Sequence, residues 1–240
     1  MGLLFAVGVV AVFILAATVL AQVRQRLEVG DLWYGLVPIG AAGALVAMLV
    51  QGGLLIVYAQ LAGLPSEMPR SELVQRWDLL LLNTVVLAVL IEASKMYAVH
   101  LVHTRLERGN WALYGMALGA GAGLLQALLK LGPRAYVGIM GTEPTQLIHL
   151  WLLPQSVALV AMEVALGGVL LYRSAEGRPT EGLMLAGGLH AAALLGSGVL
   201  MRVDAVQTVL PAIRTGLFTT TALIAAVILA SWVKRKGWPF

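Results

Sequence analysis

The chain has 240 residues, 60% of them hydrophobic and 12% charged, with a mean hydropathy of +0.88. A soluble domain is about a quarter charged, so this composition points to a polytopic all-α membrane protein. The long unbroken apolar runs exclude a transmembrane β-barrel, and the lack of cysteine excludes a disulfide framework, a thiolate nucleophile and a Cys-bound metal or cluster.

Seven spans are expected, at 3–23, 34–60, 78–104, 111–131, 147–172, 182–201 and 206–232, within a single membrane domain, 1–240. Each approaches or exceeds the roughly 20 residues a helix needs to cross the hydrocarbon. The first apolar run, Leu3 to Leu20, is too long for a signal peptide and lacks a preceding basic residue, so it reads as a retained helix. Nine Lys and Arg follow spans one, three, five and seven, and five lie on the other side. That bias predicts an outside N-terminus and a cytoplasmic C-terminus in a bacterial inner membrane. The net charge of +4 comes from scattered loop ends and forms no patch, so the expected partner is the bilayer and not nucleic acid. Trp33, Tyr34, Trp77, Trp111, Tyr172, Trp232 and Trp238 fall at span ends and are expected to form an interfacial aromatic belt.

The third span carries Glu92 and Lys95 near its centre. A charge at that depth costs about 2.5–3.5 kcal/mol on insertion scales, so such residues face the bundle interior and pair. Three residues apart on a helix, these two share a face and can pair with each other. Span four repeats glycine at Gly115, Gly119 and Gly123, a stripe that lets another helix approach closely, and Gln126 lies one turn further on the same face. Span five holds Pro154, which can kink a helix, then Gln155, Ser156 and a second deep acid, Glu163, an alternative partner for Lys95. Span six places His190 at mid-depth. No two histidines sit at matched depth on facing helices, so no b-type haem is expected, and neither a metal nor another cofactor.

Residues 92–126 read E-A-S-K-M-Y, a basic loop HTRLERGNW, then ALYGMALGAGAGLLQALL. This order resembles the YhfC family of intramembrane peptidases, related to the PrsW and CAAX-protease group of glutamic intramembrane proteases. The opening ATVLAQVRQRLEVGDLWYGLVPIGAAGALVAMLVQ is similar to the family's first helix, basic loop and glycine-opened second helix. The resemblance spans most of the chain and implies a glutamate pair followed by Arg or Lys, a glycine-rich helix ending in glutamate, and histidines in two later helices. The chain departs from that pattern at several places. Ile91 stands at the first glutamate, while Glu92 and Lys95 match the second and the basic residue. Gln126 replaces the later glutamate, Gln155-Ser156 replaces a histidine near a serine, and Leu194 follows His190 where the family has an acid or amide.

Peptide hydrolysis needs a base to activate water and donors to hold the oxyanion. Adjacent helical residues point about 100° apart, so Glu92 does not occupy the direction of residue 91. Gln126 hydrogen-bonds but is no base. The first expectation is therefore a catalytically degenerate homologue that binds a transmembrane segment or serves as an accessory subunit. The alternatives are an active intramembrane protease using Glu92 or Glu163 with His190 on a transmembrane peptide substrate, and a small-solute or proton transporter built on the same polar cluster.

Overall fold

The computed structural model describes residues 32–65, 76–102, 111–140, 152–203 and 209–236, with side chains in 35–65, 76–101, 111–131, 152–203 and 209–235. The described residues are helical, with no strand among them. In chain order they form α1 (Leu32–Leu61), α2 (Trp77–Leu81), a π-helical turn (Leu82–Val86), α3 (Leu87–Val102), α4 (Trp111–Met140), α5 (Leu152–Ala175), α6 (Pro179–Leu200) and α7 (Leu210–Lys236). α2, the π turn and α3 run on as a single membrane-length rod, so six helices are long and apolar enough to cross a bilayer. The chain is thus a multi-pass membrane protein. The expected first span, 3–23, lies outside the described residues, as do His103, His149, Asp204 and Trp238 and the side chains of Trp33 and Tyr34.

α4 and α5 form the inner pair. Their apolar windows are 72% and 78% buried, against 22–33% for the other candidate spans. α5 packs against α3, α4, α6 and α7, and α4 against α1 and α5. Leu118, Leu159, Met162, Leu166, Leu170, Phe218 and Ala225 fill the space between them. α1 instead turns Leu45, Val46, Leu49, Val50, Ile56 and Val57 outward. In a membrane that face meets acyl chains, and inner helices are held by close packing and polar contacts instead of water exclusion.

Glycines set how closely the inner helices approach. A Cβ on Gly115 would stand 2.0 Å from the Gly167 carbonyl oxygen, and a Cβ on Gly119 would stand 2.0 Å from that of Glu163. A Cβ on Gly123 would stand 2.8 Å from the Val160 Cα. The Gly115–Gly119–Gly123 stripe is therefore the face of α4 that touches α5. Gly121, two positions from Gly119 and about 200° around the helix, faces the other way. Its Cβ would stand 1.8 Å from the Val37 oxygen of α1. The stripe on one face and Gly121 on the other thus let α4 sit backbone-to-backbone with a neighbour on each side.

Two turns are built on left-handed glycines. Gly63, φ 62°, ends α1, and Gly177, φ 78°, ends α5. In each, the amide one residue beyond reaches back to a carbonyl of the last turn: Leu64 to Ala59 and Arg178 to Arg173, both 2.9 Å. This is the Schellman closure that only glycine adopts without strain. Pro179 then opens α6 at its first position, where a missing amide costs nothing. α5 and α6 are therefore a helical hairpin joined by residues 176–178.

The helix of the expected fourth span, 111–131, continues to Met140. Pro154 is the third described residue of α5, and the residues before Leu152 lie outside the described ones. One expectation needs correction. Tyr172 is not a belt residue. It is 1% exposed and stacks on Trp232 of α7, ring centroids 5.6 Å apart, with the Arg173 guanidinium 4.0 Å above the same indole. Position along a helix predicts depth, and which way the side chain faces is set by neighbours. Trp77, by contrast, is exposed, with Arg202 stacked over its ring at 4.0 Å.

Candidate functional site

Five polar side chains from four helices meet at mid-depth. Glu92, Lys95, Glu163 and His190 are each 0% exposed, and Gln126 is 7% exposed. Glu92, Gln126, Glu163 and His190 each sit within about a turn of the middle of the helical stretch that carries them. Their carriers are α3, α4, α5 and α6, and none of the five is on α1 or α7.

The assembly starts from the local pair. Lys95 Nζ donates to Glu92 Oε1 at 2.8 Å, the contact its i,i+3 spacing allows. The same ammonium donates to Glu163 Oε2 at 2.5 Å. Glu163 is therefore a second partner for Lys95 beside Glu92 and not a replacement for it. The glycine stripe explains how an acid on α5 arrives there. Gly119 lies under the Glu163 carbonyl and Gly123 under its Cβ and Cγ, so α4 leaves room for the Glu163 side chain to lie along its surface. Gln126, one turn beyond Gly123, then donates from Nε2 to Glu163 Oε1 at 2.5 Å.

His190 closes the ring from α6. Its Nδ1 is 3.0 Å from Glu92 Oε1, and its Nε2 is 3.4 Å from Glu163 Oε1. Against an ionised Glu92, which only accepts, Nδ1 is the donor of this contact. The Nε2 contact is not a hydrogen bond. Nε2 and Glu92 Oε2 are both buried with no hydrogen-bond partner. Glu92, Glu163 and His190 each offer a ligand atom, and these atoms lie within 4.8 Å of one another. Two carboxylates facing one ammonium leave a formal excess of one negative charge while the imidazole is neutral.

The remaining candidate residues lie elsewhere. Gln155 and Ser156 are buried on the same helix as Glu163, two turns, about 12 Å along the axis, away from it. Gly115 serves the α4–α5 contact two turns away from Gly123. His100 is exposed at the end of α3. Ile91, the position where the resembled family carries its first glutamate, is fully buried and packs with Ala44 and Ala47 of α1 and Ala122 of α4. Gly167, which faces Gly115, and Gly40, whose Cβ would stand 2.1 Å from the Leu118 oxygen, escaped the reading of the sequence. The Gly167-Gly168 doublet in span five was the signal for the first, and Gly40 carried none.

A second polar knot lies toward the start of the rod. Arg76 Nε donates to Asp78 Oδ1 at 3.0 Å, a second guanidinium N–H donates to Asp78 Oδ2, and the Tyr58 hydroxyl of α1 donates to Asp78 Oδ2 at 2.5 Å. Arg202 of the α6 end donates to the Arg76 carbonyl at 2.8 Å. Between the two knots, Gln51 of α1 donates to Asn83 Oδ1 at 2.7 Å, within the π turn. Family models, curated proteins and solved structures contain no match to this chain.

Proposed function

We propose that this membrane protein is a non-hydrolytic relative of the glutamic intramembrane peptidases, acting in the cytoplasmic membrane as a binding or accessory subunit for other transmembrane segments. The observation that carries this reading is Lys95. Its ammonium takes one oxygen of Glu92 and one of Glu163, which ties both acids into a bridge between α3 and α5. Two further features agree with it. Ile91 holds the place of the missing base in an apolar nest, and the four ionisable members are sealed from solvent. A sealed, paired cluster fixes which helices neighbour one another, a use for which buried polar groups are best attested.

The test is reconstitution in proteoliposomes with a panel of fluorogenic transmembrane peptides, beside purification of the native protein from its membrane. The expected result is cleavage no faster than in empty liposomes and a stoichiometric membrane partner. Cleavage that Glu92→Gln abolishes would overturn the reading. Proton or solute flux lost in Glu92→Gln liposomes would replace it with a transporter.

A further inference from the structure

We infer that the buried cluster binds one proton beyond the ammonium of Lys95, held on His190 as an imidazolium. Four contacts close a ring. Lys95 Nζ meets Glu92 Oε1 at 2.8 Å, and Glu92 Oε1 meets His190 Nδ1 at 3.0 Å. His190 Nε2 meets Glu163 Oε1 at 3.4 Å, and Glu163 Oε2 returns to Lys95 Nζ at 2.5 Å. All four residues are 0% exposed. With a charged His190, cation and anion alternate around the whole ring, and its total charge is zero. With a neutral His190 the ring keeps one negative charge, and the Nε2 lone pair faces a carboxylate oxygen.

Burial penalises an unbalanced charge. Two carboxylates and one ammonium are already in place, so the state it penalises is the one with the neutral imidazole. The charged neighbours of His190 are Glu92 and Lys95 of α3 and Glu163 of α5. Gln126 of α4 adds an uncharged donor, and among the described residues α7 places no ion-pair partner on the ring.

The acids are poorer places for this proton. Each Glu163 oxygen already accepts, Oε2 from Lys95 and Oε1 from Gln126 Nε2, so a proton on either would meet another donor. Glu92 Oε1 faces the Lys95 ammonium and Nδ1. Glu92 Oε2 is buried without a partner, so a proton there would have no acceptor. A metal ion is not an alternative counter-charge. Glu92 lies at Nδ1, across the imidazole from Nε2, and only two ligand atoms remain beside the Lys95 ammonium.

α6 enters the ring through His190 alone. The proton therefore decides whether α6 is tied to α5 as well as to α3. Without it, the 3.4 Å contact sets two acceptors face to face.

This inference does not rest on the proposed function, because protonation and peptide cleavage are separate measurements. The test reads the ring nitrogens directly by NMR of the full chain in liposomes, labelled with ¹⁵N-histidine. His100→Gln, His103→Gln and His149→Gln leave His190 as the single histidine of this parent protein. At about pH 7, above the ordinary imidazole value of about 6.5, both nitrogens are expected to carry a bonded proton. Adding Glu163→Gln leaves Glu92 and Lys95 in balance, so one nitrogen should lose its proton. A parent spectrum dominated by an unprotonated ring nitrogen overturns the proposal, and it decides even if the Glu163→Gln protein fails to fold. Two protonated nitrogens in Glu163→Gln as well would remove the charge balance that carries it. An infrared carbonyl band of a protonated carboxyl, lost in Glu163→Gln or Glu92→Gln, would put the proton on an acid and overturn it too.

Discussion

Asp78 and Glu92 stand on the same helical rod, each beside a cation, and the molecule treats them differently. Asp78 has its cation two residues away and about a third of its side chain exposed. Among the described residues its distant side-chain partner is Tyr58 of α1. Glu92 is fully buried, and its cation is shared with an acid 68 residues further along the chain. The first arrangement is local and solvated, so its geometry is optional. The second exists only if α3, α5 and α6 have all arrived, so its geometry is bound up with the fold. Identical chemistry thus decorates one end of the helix and specifies the assembly at the middle.

The comparison breaks most visibly at Lys95. Lys95→Met takes the ammonium from two buried carboxylates, a loss expected to cost about 3–5 kcal/mol. Thermal melting of the protein in detergent should show it, and adding Glu163→Gln should return part of the loss. The glycine stripe comes next. Gly119→Ala puts a methyl into the Glu163 carbonyl, forcing α4 and α5 apart, and overpacking of this kind costs typically about 1–3 kcal/mol. Because the same separation lifts Glu163 off Gln126, crosslinking between cysteines introduced across α4 and α5 should slow as well.

The outer knot should matter less. Asp78→Asn or Tyr58→Phe is expected to shift the melting temperature by less than either inner variant, and the Asp78 shift should shrink further at high salt, where exposed pairs are screened. A larger shift than that of Gly119→Ala would reverse the ranking. Smallest of all is Gly53→Ala. A Cβ there meets nothing within 4 Å, so only the helix preference of alanine remains, about 0.5–1 kcal/mol in favour of the variant. Urea unfolding of the reconstituted protein measures its sign.

The parts that hydropathy and short-range spacing dictate were legible. Six of the expected spans have helices at their places because about 20 apolar residues have one solution in lipid. The Glu92–Lys95 contact followed from three-residue spacing on a helix, and the stripe at Gly115, Gly119 and Gly123 from its period of four. What could not be read was convergence. Nothing local says that Glu163 shares Lys95, that His190 spans both acids, or that Gln155 is left two turns away. Those facts depend on which helices are neighbours and how each is rotated. Tyr172 shows the same limit from the apolar side, since its depth resembled that of Trp77 while its direction was opposite.

The Gly177-Arg178-Pro179 corner carries a consequence for biosynthesis. With three residues between them, α5 and α6 form a tight antiparallel hairpin, a unit suited to entering the bilayer whole. They partition as a unit, and the arm bearing Glu163 descends beside the arm bearing His190. In such a unit the burden of the Glu163 carboxylate on the lipid is shared between two arms.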